Sequence, residues 1–465
     1  MIPTQPYQDS RGNETTRSTD SAIAEASRLG ARLPDLLPNL LPALLPTFAL
    51  LFALAIPARA RVLEVGPGKA YTKPSLAAAA AKSGDTVLIA AGIYSGDVCS
   101  WTVPNLLLRG VSQFAHMRAD GANAAGKGTW VMDADNITVE NIEFSGASVP
   151  DQNGAGIRAE GGNLTVRNCY FHGNENGILA DGKDILIEYS QFEANGLGDG
   201  YTHNMYIGHI DTFTLRYCYT HHAKIGHNIK SRARKNYILD NRSLDGADGT
   251  ASYELDLPNG GLAVIAGNVF HQGPATDNPG ILEYGEEGMT NPAGAVQIIN
   301  NTFVNDRANG GTFISLAAGS TSARVVNNLF VGPGTMLSGK ADTAGNLVTQ
   351  NPGFVNRALF DFRLTSASPA VDKGKDPGQQ DGQNLLPTLE FYPPYATKAR
   401  SVVGPTDIGA YEYDPNAGIR KLRGALPGTG SGAYPVGYRV AFDGSGILIG
   451  PYPAIDFLGK IHRLP

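Results

Sequence analysis

The stretch NLTVRNCYF, residues 163–171, alternates β-branched or aliphatic residues with polar ones, the period-two pattern of a half-buried strand, and then closes on an aromatic ring. The same phrase recurs along the chain as VENIEF (139–144), VRNCYF (166–171), IEYSQF (187–192), LRYCYT (215–220), LDNRSL (239–244), IAGNVF (265–270), INNTF (299–303) and VNNLF (326–330). Its closing positions are Phe144, Phe171, Phe192, Thr220, Leu244, Phe270, Phe303 and Phe330. Their spacing varies from 21 residues (171 to 192) to 33 (270 to 303), so the repeat is a coil of constant core with loops of variable length. One such coil cannot bury its apolar side. Stacked coils can, as parallel sheets around a continuous core.

Composition agrees. Among 465 residues there are 57 glycines and only 17% charged side chains, which points to a turn-rich β protein. The net charge of −6 argues against nucleic acid as a partner, because such binders carry a basic excess over much of a face. Leucine-rich repeats are excluded by the missing LxxLxL phrase and helical halves. Asn141, Asn168, Asn241, Asn300 and Asn327 are expected to form an inward amide ladder at a bend. Residues 71–94, YTKPSLAAAAAKSGDTVLIAAGIY, supply a short Ala-rich helix that can cover the open end of the core. Cys169 and Cys218 occupy one slot of the repeat with Ser190 between them, hence about 10 Å apart at ~4.8 Å per coil, too far for a disulfide. With Cys99 they are expected to be structural thiols.

A capping helix, GDTVLIAAGIY, coils with N-x-F phrases, NPGFVN (351–356) and DIGAYEY (407–413) together resemble secreted right-handed parallel β-helix proteins of the pectate-lyase-like superfamily. The resemblance covers roughly residues 62–413. It implies an all-β fold, a right-handed parallel β-helix (β-solenoid) with an N-terminal capping helix. The superfamily includes lyases, hydrolases, epimerases and non-catalytic adhesins, so activity must be argued from the site. The expected organisation is a leader with signal peptide over 1–60, the β-helix over 61–413 and a Gly/Pro-rich segment over 414–465.

Residues 47–57, TFALLFALAIP, form an apolar core of signal-peptide length, preceded by Arg28 and Arg32 and followed by Ala58-Arg59-Ala60. Cleavage after Ala60 is expected, with a secreted or periplasmic monomer and no stable membrane insertion. The rival is an anchor reaching back to Leu36, which Pro38, Pro42 and Pro46 would interrupt.

The chemistry centres on GHNIKSRARK, residues 226–235. Aligned on the apolar residues Ile157, Ile178, Met205, Ile229, Leu255 and Leu282 as an inward column, the outward neighbours are Arg158, Leu179, Tyr206, Lys230, Asp256 and Glu283. Arg232 lies two residues further on the same face, and Asn204, Asn228, His203, His227 and Tyr253 are expected beside them. A face carrying cations suits an acidic polysaccharide, and β-elimination on a uronic acid requires a base, a cation on the carboxylate and an acid for the leaving oxygen. Lys230 is the expected base, its pKa lowered by Arg232 and Arg234 although Asp256 in the next coil pulls the other way. Arg232 is the carboxylate clamp and Tyr206 or His227 the acid. His203, Asn204, Asn228, Arg234, Lys235, Tyr253, Asp256 and Glu283 are expected to bind substrate. A C5-epimerase needs the same proton abstraction, and a hydrolase could draw paired carboxylates from Glu254, Asp256 and Glu283. A glycan-binding rod needs none of this chemistry. No metal ligand is assigned, although Asn204, Asn228, Glu254 and Asp256 could offer oxygens to Ca2+.

Overall fold

A computed structural model of the chain describes residues 60–415, except 321, 381, 394 and 402, together with a strand pair at 454–455 and 461–462. The signal-peptide segment and nearly all of the 414–465 segment lie outside the described residues.

The described chain winds through three parallel sheets, here called A, B and C. One coil runs Ile137–Glu140 (A), Ile142–Ser145 (B) and Ala155–Ala159 (C). The next runs Leu164–Arg167, Tyr170–His172 and Asn176–Ala180. Strands of each sheet pair in parallel with those of the coils before and after. Two long strands, Thr86–Ser95 and Leu107–Arg118, pass through both A and B and join them into one 21-stranded hydrogen-bonded array, while C has 10 strands. The fold is therefore all-β and a parallel β-helix, with one α-helix, Pro74–Ala80, among the described residues. Pro74 at its first turn and Ser75, whose backbone N–H and hydroxyl both donate to Asp97, fix the helix start. Ala77 packs into the core it covers.

Sharp A-to-B corners explain the Asn-rich phrases. One residue per coil takes a left-handed conformation there, at Asn141 (φ 58°), Asn168 (47°), Tyr189 (51°), Tyr217 (61°), Asp240 (51°), Gly267 (70°), Asn300 (49°) and Asn327 (57°). Asn, Asp and Gly tolerate that conformation best. The following residue points inward. From Asn241 onward this second column is an amide ladder through Asn268, Asn301, Asn328 and Asn346. Each backbone N–H donates to the next coil's Oδ1 at 2.9 Å, and the Asn268 Nδ2 donates to Ile238 O at 2.7 Å. The expected single ladder is thus two adjacent columns, with Asn241 in the second and the other four in the first. Cys169, Ser190 and Cys218 precede Asn241 in the second column, and all three cysteines are buried thiols.

The Phe column is as expected, with one correction. Phe144, Phe171, Phe192, Phe270, Phe303 and Phe330 are fully buried, and adjacent rings stack at 4.7 to 5.2 Å. Between Phe192 and Phe270 the register places Thr220 and then Ser243, not Leu244. Leu244 instead faces outward on sheet B.

The coils also stop earlier than 413. The last coil strand is Leu347–Thr349, and beyond it the chain forms a pad of antiparallel pairs such as Phe354–Asn356 with Asp361–Leu364 and Leu389–Tyr392 with Ala396–Ala399. Phe362, Phe391, Ile408 and Tyr411 of this pad pack on Tyr219, Leu244, Val269, Val304 and Leu329, the outward residues of sheet B. NPGFVN and DIGAYEY belong to the pad. Among the described residues no such cover lies on sheet C, which carries the candidate site.

Candidate functional site

On sheet C the outward column is as read from the sequence: Arg158, Leu179, Tyr206, Lys230, Asp256 and Glu283 pair in adjacent strands, and Ser315 follows. Strand Lys230–Ser231 places Lys230 outward, while Ile229 and Ser231 are buried and Ser231 donates to Asn236 Oδ1 at 2.6 Å. Lys230 and Arg232 share the outer face.

These side chains form one polar network. Lys230 Nζ lies 2.9 Å from Asp256 Oδ2 and 2.9 Å from Glu287 Oε1. Arg232 donates to Glu287 Oε2 (2.6 Å), to Tyr206 Oη (2.7 Å) and to Asn259 Oδ1 (2.6 Å). Asp256 is 0% exposed, and burial pushes its carboxyl up to about 7 even though Lys230 pulls it down. Glu283 is pushed up to about 6 by burial, and burial also raises Glu286. Burial lowers the Lys230 ammonium, but Asp256 and Glu287 outweigh it and leave the pKa above its ordinary value. The expected lowering by Arg232 and Arg234 is therefore wrong. Two carboxylates sit on the amine, whereas Arg232 is turned to Glu287 and Arg234 pairs with Asp211 on an exposed corner.

Other expected roles change as well. Asn204 and Asn228 point into the interior, where they are fully buried links in a further ladder from Asn174 and Asn195. That ladder ends where Asn228 donates to Asp245 (3.1 Å) and Glu254 (2.9 Å). Neither Asn can touch substrate. Burial raises both of those carboxyls, Glu254 also through the neighbouring Asp245 charge. The oxygens offered to Ca2+ thus do not converge on one point.

His203 and His227 are buried and stack at 4.7 Å between Tyr206 and Tyr253. His203 Nδ1 accepts from His227 N–H at 2.9 Å, and His227 Nδ1 accepts from Tyr253 N–H at 3.4 Å, so both rings carry their proton on Nε2. That of His227 lies 3.5 Å from Asp256 Oδ2. His227 is buried with that nitrogen turned toward Asp256, and so does not present a proton to a leaving group. Burial holds both imidazoles neutral. Tyr253 donates to Glu286 at 3.1 Å on the exposed side. Lys235 is exposed and opens strand Lys235–Leu239 of sheet A, so it binds nothing at this face.

Sequence reading missed Glu286, Glu287 and Asn259. The first two sit in Gly285-Glu286-Glu287-Gly288, a turn whose glycines adopt φ of 83° and 102° and which folds back across two coils onto Lys230. Their signal was a carboxylate pair between glycines next to the column, but only the fold shows which coil the turn reaches.

Residues 90–243 match the family model described as right handed beta helix region. No curated protein matches the chain. Among solved structures, that of pectate lyase Pel9A is similar with a TM-score of 0.43 and 14% identity, covering 76% of this chain and 96% of that one. With its parallel coils and this match across their first half, the chain is a right-handed parallel β-helix protein.

Proposed function

We propose that the protein is a carbohydrate-active enzyme that cleaves a uronic-acid-containing polysaccharide by β-elimination on the sheet C face. One observation carries this reading: Lys230 and Arg232 already grip a carboxylate, that of Glu287, with one cation on each oxygen at 2.9 and 2.6 Å. A sugar uronate presents the same two oxygens. When it displaces Glu287, the Arg232 guanidinium neutralises it and acidifies the neighbouring C5–H, while Lys230 loses one of the two carboxylates that hold its proton.

The rest of the chemistry then falls to the network. Relieved of Glu287, Lys230 gives its proton to Asp256, which leaves Arg232 as the cation on the uronate, and the free amine takes the C5 proton. The C5–H electron pair becomes the C4–C5 double bond as the C4–O bond breaks. Tyr206, whose oxygen accepts from Arg232, keeps its own O–H free to donate to the departing oxygen. The signal-like segment before residue 61 supports a periplasmic or secreted site of action.

A hydrolase is the second reading, favoured by Glu283 and Glu286, two partly exposed carboxyls raised side by side. The purified full chain incubated with a panel of polyuronides separates the two. Elimination yields ultraviolet absorbance from an unsaturated uronide, and hydrolysis yields reducing ends without it. Arg232→Ala should abolish binding and turnover, and Glu287→Ala should raise affinity by removing an internal competitor. Activity confined to neutral glycans, or an undiminished Arg232→Ala, would refute the proposal.

A further inference from the structure

Away from sheet C, we propose that His116, Glu143 and His172 on the outer face of sheet B form a binding site for a divalent transition-metal ion of the zinc class. Their strands, Leu107–Arg118, Ile142–Ser145 and Tyr170–His172, are consecutive neighbours, with His116 opposite Glu143 and Ser145 opposite His172. Alternation along each strand sends all three side chains outward. The three ligand atoms lie within 4.8 Å of one another. His172 Nε2 is 2.9 Å from Glu143 Oε1, and His116 Nδ1 is 3.5 Å from the same oxygen. A tetrahedral zinc with bonds of about 2.0–2.2 Å sets its ligands roughly 3.3–3.5 Å apart, so small side-chain rotations complete the geometry.

The support around His116 points the same way. Its Nε2 lies 2.7 Å from Ser145 Oγ, and with the hydroxyl accepting, Nε2 carries the proton and Nδ1 turns a bare lone pair to Glu143. Two imidazoles and one carboxylate select the borderline-soft ions over Ca2+ or Mg2+, which prefer oxygen shells. The side chains are 16 to 30% exposed, leaving solvent access for a fourth ligand. An ordinary His–carboxylate pair would need neither the orienting serine nor the second imidazole.

The test is titration of the tag-free full chain with Co2+, followed by visible absorbance, and with Zn2+, followed by calorimetry. One equivalent of a four- or five-coordinate Co2+ spectrum is expected, displaced by Zn2+ but not by Ca2+. Glu143→Gln and His172→Ala should abolish the spectrum. Ser145→Ala should weaken binding about 10- to 100-fold, the usual effect of losing an orienting partner. Unchanged melting temperatures of the metal-free variants establish that the fold is intact. Absence of a stoichiometric site in the wild type, or a site that survives Glu143→Gln and His172→Ala, would overturn the proposal. Neither result touches the sheet C reading, which uses none of these residues.

Discussion

Replacing Lys230 by alanine should make the stability of the protein depend on pH in a range where the parent is flat. Asp256 is fully buried, and its carboxyl titrates near 7 only because Lys230 at 2.9 Å offsets the cost of burial. In an unfolded chain the same group titrates near 3.9. Between those values the native state holds a proton that the unfolded state has lost, so stability falls as pH rises, by about 1.4 kcal/mol per pH unit, and levels off above the folded pKa. Without Lys230 the folded pKa climbs further, and the fall continues past neutrality. The parent and the variant should therefore differ least near pH 6 and diverge by roughly 1.4 kcal/mol for each unit above about pH 7. The divergence should reach the 3–5 kcal/mol typical of a broken buried pair two to three units higher. Urea denaturation at a series of pH values measures this directly through the midpoint at constant slope. The double variant Lys230→Met with Asp256→Leu should abolish the divergence, since no buried charge remains. Parallel stability curves for Lys230→Ala and the parent would show that Asp256 does not depend on Lys230, and the network described for sheet C would be wrong.

Phe192→Ala should cost about 3–5 kcal/mol by calorimetry or urea titration, because its ring is fully buried and stacks on Phe171 at 4.7 Å. Asn268→Ala should destabilise by several kcal/mol, since it strands the Asn241 N–H and the Ile238 carbonyl in the core at about 1–3 kcal/mol each. Cys169 and Cys218 should resist thiol reagents in the native protein and react on denaturation, because burial raises both thiols and closes access. An immediate reaction of the folded protein would contradict that packing.

The repeat was legible because one phrase per coil reports two constraints at once, a left-handed corner and an inward ring. Where the phrase lost its aromatic, Thr220 was still placed correctly, but at LDNRSL the alignment slipped by one residue, and with it went the assignment of Asn241. The outward column on sheet C was legible because strand alternation fixes it from the inward aliphatics. The alternation could not reveal the residues that lie beside the strand. Asn204 and Asn228 precede strands Met205–Ile207 and Lys230–Ser231, in corner positions where a side chain can turn either way, and the ladder from Asn174 draws them in. The pKa of Lys230 was misread for a related reason. Sequence proximity suggested Arg232 and Arg234 as neighbours, and the opposing pull expected from Asp256 is joined by that of Glu287, 57 residues away, at the same 2.9 Å. The end of the coils was misplaced because NPGFVN and DIGAYEY carry the same small and aromatic residues as the coil phrases but lie in the pad of antiparallel pairs.

The interruption of the Phe column has a mechanical consequence. At Thr220 and Ser243 the aromatic stack gives way to hydroxyls that contact Asn204, Asn228 and Glu254. The coils on either side add ring-on-ring stacking to their aliphatic contacts, whereas the coils between them keep the aliphatic contacts and replace the rings with hydrogen bonds around the buried Asp245 and Glu254 carboxyls. In a stack whose units touch only their neighbours, the weakest interface determines where the array divides into cooperative blocks. That boundary falls between Phe192 and Phe270, beneath Tyr206, Lys230 and Asp256. Amide exchange should open there first, and the surface proposed to handle substrate therefore rests on the most yielding layer of the stack.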